Sequence, residues 1–449
     1  MTTTALPAAL IGDALPVPCV DGMDRPYLPF DAAGATSALP QVLGAVEGFL
    51  PWYSSIDHGA DYKAQASMLA YESARLAALA FAGRGPDSED VAVICPNATE
   101  AIAYLVGRLG LSTSDVVVTT VAEHHANLRP WSRVAACRYV ECGGDGIFEP
   151  GDVAAALDQR PVPRLLAITG ASHVTGWLPP LPEIIAAAHQ RGIPVLVDAA
   201  QLAPHRPLPA EADFLAWSGH KMYAPFGAGV LVGPRRILAT RDLFGADAAA
   251  SGPGADDVAR LGLPERDEPG SPNVIGAVAL GAAVGVLEHI GWPAITGRDL
   301  RIARSLRRGL AGIPGVRLLG PGTDTETLPI ATFTVDGMPS GLVAARLAAE
   351  DAIEVAHGGL HARPYLTRLL RPRHAEARTS RGQVPDAGRS ALPGAVRASA
   401  GISTSGCDVA RLLRAVERLV SAEPPVRYRH DPSTGDFFPA RRAPEPVSR

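Results

Sequence analysis

The residues best suited to covalent chemistry lie in Ser218-Gly219-His220-Lys221. This motif follows the apolar run Phe214 to Trp217 and precedes Phe226-Gly227-Ala228-Gly229. Lysine is scarce in this chain: of 41 basic residues only Lys63 and Lys221 are lysines. Arginine neither loses its proton nor forms an imine, so a lysine kept against that bias points to a need for its primary amine. Taken alone the motif also fits chance retention or a capped surface lysine. It is accompanied, however, by Val195-Leu196-Val197-Asp198-Ala199-Ala200-Gln201, with Asp198 23 positions before Lys221. An acid at the carboxyl end of an apolar strand points into the crevice where open α/β sheets bind ligands.

Two further constellations belong with this pair. Cys95-Pro96-Asn97-Ala98-Thr99-Glu100-Ala101 reads as a strand-to-helix turn, whose backbone N–H groups and Thr99 hydroxyl suit a phosphate. By itself it is also an ordinary helix cap. Glu123-His124-His125-Ala126-Asn127 places two histidines side by side, which favours ring stacking or proton handling over metal binding. A lysine amine, a carboxylate for a ring nitrogen and a phosphate cradle together are the requirements of pyridoxal phosphate. In that cofactor a protonated pyridine ring acts as an electron sink.

These residues need a scaffold that brings strand ends together. Apolar runs at Val91 to Cys95, Val116 to Thr120, Leu165 to Thr169, Val195 to Asp198, Phe214 to Trp217 and Val230 to Val232 read as buried strands. Helical patterns lie between several of them, at Thr99 to Leu109, Asp152 to Leu157 and Pro182 to Arg191, the last with Pro182 in its first turn. That alternation predicts a mostly parallel sheet covered on both faces. From about residue 295 the pattern changes to a smaller α+β unit. It has a long Arg-rich helix (Thr296 to Leu310), strands near Val316 to Leu319 and Ile330 to Val335, and helices at Leu342 to Glu350 and Cys407 to Ser421. The expected division is a large domain over 26–294 and a small one over 1–25 and 295–449. Arg371 to Pro393 reads as a mobile loop, and the tail after Glu423 as poorly ordered.

Composition narrows the partners. A net charge of −5 gives no broad basic face for nucleic acid. The apolar stretch Val274 to Leu287, about 14 residues, suits a buried helix rather than a membrane span. Five scattered cysteines make no disulfide framework and no zinc set. The expectation is a cytoplasmic enzyme for a small molecule, without nucleic acid, membrane or metal.

In this order and spacing the motifs resemble the class V aminotransferase family, and within it the cysteine desulfurase and selenocysteine lyase branch, from about Tyr27 to Leu419. The resemblance implies a fold-type I enzyme: α/β, with a mostly parallel sheet of the seven-stranded type, helices on both faces and a smaller α+β domain. It implies that Lys221 carries the cofactor and moves protons, and that Asp198 pairs with the ring nitrogen. His124 would stack on the ring, and Gln201 would touch its phenolic oxygen. Ala98, Thr99, Ser218 and His220 would hold the phosphate. Ser271, in Glu268-Pro269-Gly270-Ser271-Pro272-Asn273, would reach the partner subunit's phosphate, which implies a homodimer with shared sites. Arg397 matches the arginine that grips a substrate carboxylate, although a surface ion pair would also account for it.

Departures from the family bear on the reaction. Desulfurases carry a nucleophilic cysteine on a loop that corresponds here to His357-Gly358-Gly359-Leu360-His361-Ala362-Arg363-Pro364-Tyr365. Either His361 or Ala362 occupies the cysteine position, and neither has a thiol. His173 stands where the family usually has an asparagine, Asp57-His58 replaces a His-Arg pair, and Ala356 or His357 replaces another arginine. The expected substrate contacts are Arg397, His173 and His357. The expected activity is a lyase acting on an amino acid by elimination at a Cβ–S or related bond, with no persulfide relay. Lys221 would be the base, and His361 or His124 the proton donor. An aminotransferase or epimerase using the same α-proton chemistry is the alternative, and a pyridoxal-phosphate-binding protein without turnover is another.

Overall fold

The computed structural model describes residues 10–56, 61–239, 268, 271–371 and 394–440. Strands rich in Val, Ile and Leu build a seven-stranded sheet. Its order is Asp90–Cys95, Gly229–Pro234, Phe214–Ser218, Val195–Asp198, Leu165–Thr169, Val116–Thr120, Ala136–Val140. Only Gly229–Pro234 runs antiparallel to its two neighbours. The strands beyond it pair in parallel, through crossovers that carry the helices onto the faces. The five central strands are buried along nearly their whole length, which is why they read as continuous apolar runs.

The edge strand Ala136–Val140 escapes the sequence reading. It is largely exposed, and its Arg138 and Tyr139 break the apolar run. Its pairing with Val116–Thr120 is sound over five residues. On one face, the helices Pro40–Phe49 and Tyr62–Phe81 pack against Val274–Ile290. That helix is apolar nearly all round and is largely buried, as expected of a core element. Among the described residues no single helix is long and apolar enough to cross a membrane.

A second sheet has five strands in the order Val316–Leu319, Ile330–Val335, Ala395–Ser399, Ile353–Gly358, Leu28–Phe30. The helices Trp292–Ala311, Ser340–Asp351 and Gly406–Ser421 accompany it, and Leu306, Phe333, Val396 and Val416 lie in its own core. Leu28–Phe30 therefore joins this sheet, as a parallel edge strand beside Ile353–Gly358. The tail after Glu423 is not irregular throughout. Tyr428–His430 and Phe437–Pro439 form a hairpin that packs on the helix Ser340–Asp351. Their aromatic residues, in pairs such as His430 with Phe437, supply a packing surface that the polar sequence around them conceals. Most of Arg371 to Pro393, together with Asp57 and His58, lies outside the described residues.

Candidate active site

Register in the large sheet brings the chemistry together. Asp198 lies beside Thr169 on one side and Ala216 on the other, and Ser218 lies beside Gly229, which is also opposite Cys95. The carboxyl ends of four strands thus meet in one crevice, the place expected for a ligand in such a sheet. A cavity of about 250 Å³ opens there. Around it stand Ala98, Thr99, His124, Asp198, Gln201, Ser218, His220, Lys221, His173, His361 and Arg397, contributed from both sheets.

Lys221 ends the short turn Gly219–Lys221 that follows its strand. Burial lowers its amine pKa from the usual value, and the Asp198 carboxylate opposes that shift. Asp198 is 6% exposed, and burial raises its carboxyl while the Ala200 N–H, donating at 3.1 Å, counteracts this. An amine pushed toward its neutral form beside a buried acid can form an imine and can move a proton.

The helix Ala98–Leu109 starts at the cavity wall. Asn97 caps it by accepting from the Glu100 N–H at 3.0 Å, and the Ala98 N–H donates to the Ser218 hydroxyl at 2.8 Å. A Cβ at Gly229 would sit 2.6 Å from the Asn97 Cα, so only glycine lets the helix start approach the sheet this closely. The result is an N-terminus flanked by the Thr99 and Ser218 hydroxyls, which is an anion site. The buried Gln201 amide oxygen has no hydrogen-bond partner within the protein. A buried orphan lining a cavity fits a bound polar group that would complete it. These residues fit pyridoxal phosphate: Lys221 would bond its carbonyl carbon, the Asp198 carboxylate would accept from its protonated ring nitrogen, the Gln201 side chain would meet its phenolic oxygen, and Ala98, Thr99, Ser218 and His220 would hold its phosphate.

Histidines form the opposite wall. His124 lies 5.0 Å from His173 and 5.4 Å from His361, ring centre to ring centre. The His124 Nδ1 accepts from the Ala126 N–H at 3.1 Å, which puts its own proton on Nε2. Burial and then the Lys221 charge hold its pKa down at about 3. Beneath it is Glu123, fully buried. It accepts from the Thr120 hydroxyl (2.7 Å), the Asn127 amide (2.8 Å) and the Thr169 N–H (2.9 Å), and burial pushes it up to about 8. Glu123 therefore sets the segment that presents His124. The sequence offered it only as the first residue of the His124 motif.

Arg397 is 5% exposed and reaches across from the smaller sheet. Its guanidinium donates to the His173 carbonyl at 3.0 Å and to Asp31 at 2.5 Å, while its Nε stays buried without a partner. Asp31 escapes the sequence reading; its position after the strand Leu28–Phe30 and before Ala32-Ala33-Gly34 was the available signal.

His357 does not line this cavity. In the antiparallel ladder Ala356 lies opposite Arg397 and His357 opposite Val396. Side chains alternate faces along a strand, so His357 turns away from the Arg397 face and pairs with Asp436 of the C-terminal hairpin at 3.1 Å. Ser271 is exposed and also lies away from the cavity of its own chain. Glu268, three residues earlier, is tied down by the Ile94 N–H and the Tyr71 hydroxyl, each at 2.7 Å.

Comparison with known proteins gives the family. The family model described as aminotransferase class-V matches residues 28–412. A probable cysteine desulfurase of Synechocystis is 33% identical over 368 residues, covering 78% of this chain and 86% of that protein. The cysteine desulfurase of Dickeya dadantii is 33% identical over 321 residues, 67% of this chain and 75% of its own. Among solved structures, the apo cysteine desulfurase from Thermococcus onnurineus NA1 aligns over 94% of this chain and 100% of its own. Its TM-score is 0.77 at 25% identity. A cysteine desulfurase from Escherichia coli, in an S-sulfonic acid form, aligns over 88% and 95% with a TM-score of 0.68 at 27% identity.

Proposed function

Because this chain belongs to the class V aminotransferase family, and is a pyridoxal-phosphate enzyme of fold-type I, we propose that it is a lyase that breaks a Cβ–S bond of an amino acid and releases the sulfur-bearing group directly. The supporting observation is the composition of the cavity wall. His361 stands at its mouth, and none of the five cysteines, all of them among the described residues, lines it. A persulfide relay needs a thiol there.

When bound, the cofactor supplies a protonated ring that takes up the electrons released at the substrate Cα. The chain's own residues do the rest. Arg397 offers its unpartnered Nε–H to the substrate carboxylate, which competes with Asp31 for the guanidinium. Lys221 removes the Cα proton. The Cβ–S bond then breaks with its electron pair on sulfur, and His361 gives that sulfur a proton. Water completes the balance, leaving a thiol, pyruvate and ammonia from a cysteine conjugate. His361, exposed where it lines the cavity, takes the donor role, and His124, whose charged form burial disfavours, keeps the stacking role.

Product analysis against a panel of cysteine conjugates tests this reading. Thiol, pyruvate and ammonia should appear in equal amounts with no keto-acid acceptor. A protein persulfide after incubation with free cysteine, detected by mass spectrometry, would refute it. Dependence on a keto acid would favour the aminotransferase reading, and a cofactor spectrum without turnover the non-catalytic one. His361→Ala should lower turnover about 100-fold with cofactor binding unchanged. That is the low end of general-acid help, because sulfur is already a good leaving group.

A homodimer is part of the same reading. Tyr62, Leu69 and Leu76 form a stripe at seven-residue spacing on the outer face of one helix. They are 74%, 62% and 65% exposed, and Trp52, whose ring lies 5.8 Å from that of Tyr62, is 46% exposed. Such a contiguous apolar face calls for a partner surface. The double variant Leu69→Glu/Leu76→Glu should sediment as a monomer where the parent sediments as a dimer; a dimeric variant would move the interface elsewhere.

A further inference from the structure

The geometry points to His173 as a clasp that holds the Leu360–His361 turn fixed over the cavity. His173 is 5% exposed, and its Nε2 lies 2.9 Å from the Leu360 carbonyl oxygen, 187 positions away in the chain. A carbonyl oxygen only accepts, so Nε2 carries the proton and Nδ1 is bare. Burial also lowers the pKa of this imidazole well below its usual value, so the ring is neutral and this tautomer is the one that persists. Its only N–H is spent on the loop.

A second bond closes the turn from the other wall. The His125 N–H donates to the His361 carbonyl at 3.0 Å, while within the turn the Ala362 N–H donates to Gly359 at 3.0 Å. Leu360 and His361 take φ values of +48° and +52°, consecutive non-glycine residues in the left-handed region. That conformation costs free energy and lasts only where the surroundings hold it. Here they do: the Leu360 side chain is 7% exposed within the main core, and Ala362 is fully buried. The turn is therefore a stationary cover that keeps the His361 imidazole at the mouth, and not an arm that swings out to a second protein. The clasp does not depend on which bond the enzyme breaks; His173 acts through the turn, as a positioning residue.

Amide hydrogen exchange on the full chain, with and without added pyridoxal phosphate, tests this. His173→Phe keeps a flat ring and removes the donor. The His125 and Ala362 amides should then exchange about tenfold faster, the worth of one buried hydrogen bond. The strand Leu165–Thr169 should keep its protection. His173→Gln, whose amide N–H reaches a similar distance, should restore slow exchange at both positions. Unchanged protection of His125 and Ala362 in His173→Phe would overturn the clasp. Equally fast exchange in His173→Gln would also overturn it, because ring bulk would then be what matters. If His173→Phe also loses protection in the strand, His173→Leu is read by the same two amides.

Discussion

Lys221→Ala abolishes turnover, and the variant, mixed with pyridoxal phosphate, shows no visible absorbance of a lysine-bound cofactor and no borohydride-fixed label on the chain. Three facts lead to this expectation. Lys221 stands at the cavity with Asp198, its amine driven toward the neutral form by burial. The other lysine, Lys63, is exposed on the helix Tyr62–Phe81 and does not line the cavity. Arginine, abundant in this chain, cannot substitute, because a guanidinium stays protonated and forms no imine. Removal of a side chain that ends in a polar cavity leaves the cores intact, so the variant should fold as the parent does. A retained covalent label would transfer the role to Lys63 and refute the assignment.

Asp198→Asn should bind the cofactor and lose most of its activity. The Ala200 N–H contact shows that an amide oxygen can be accommodated there, so the fold should tolerate the change. What is lost is the negative charge that holds the ring nitrogen protonated. Removing one partner of a buried charge pair costs about 3–5 kcal/mol. If that whole cost falls on the reaction, at 1.36 kcal/mol per tenfold, turnover drops roughly 160- to 5,000-fold. Activity within a few-fold of the parent would make Asp198 a structural cap for the turn that begins at Ala200. Cofactor retention, read by absorbance, separates this outcome from simple loss of binding.

The parts of the site on strand ends were legible because burial on both faces writes strands as apolar runs, and an acid or a lysine at the end of such a run stands out. Asp198 and Lys221 are of this kind, whereas the roles of Gln201 and Ser218 came from the family resemblance. What escaped depends on pairings that no local pattern carries. Asp31 meets Arg397 across 366 positions. The orientation of His357 is decided by a register with Val396 that one residue of slip would reverse. The closed Leu360–His361 turn uses left-handed backbone at residues that ordinarily avoid it, so nothing in their identity announces it. The strand Ala136–Val140 was hidden by its exposure at the sheet edge, and the Tyr428–His430 hairpin by its polar, proline-bearing surroundings.

The contrast between the two lysines has an experimental use. One is in water on the outside of a helix, and the other is half-buried in the crevice where four strand ends meet. Protein grown on isotopically labelled lysine therefore yields a magnetic-resonance spectrum with two side-chain signals. Lys63 serves as the solvent reference, and Lys221 is a single probe inside the cavity, responding to each ligand added without interference from the rest of the chain.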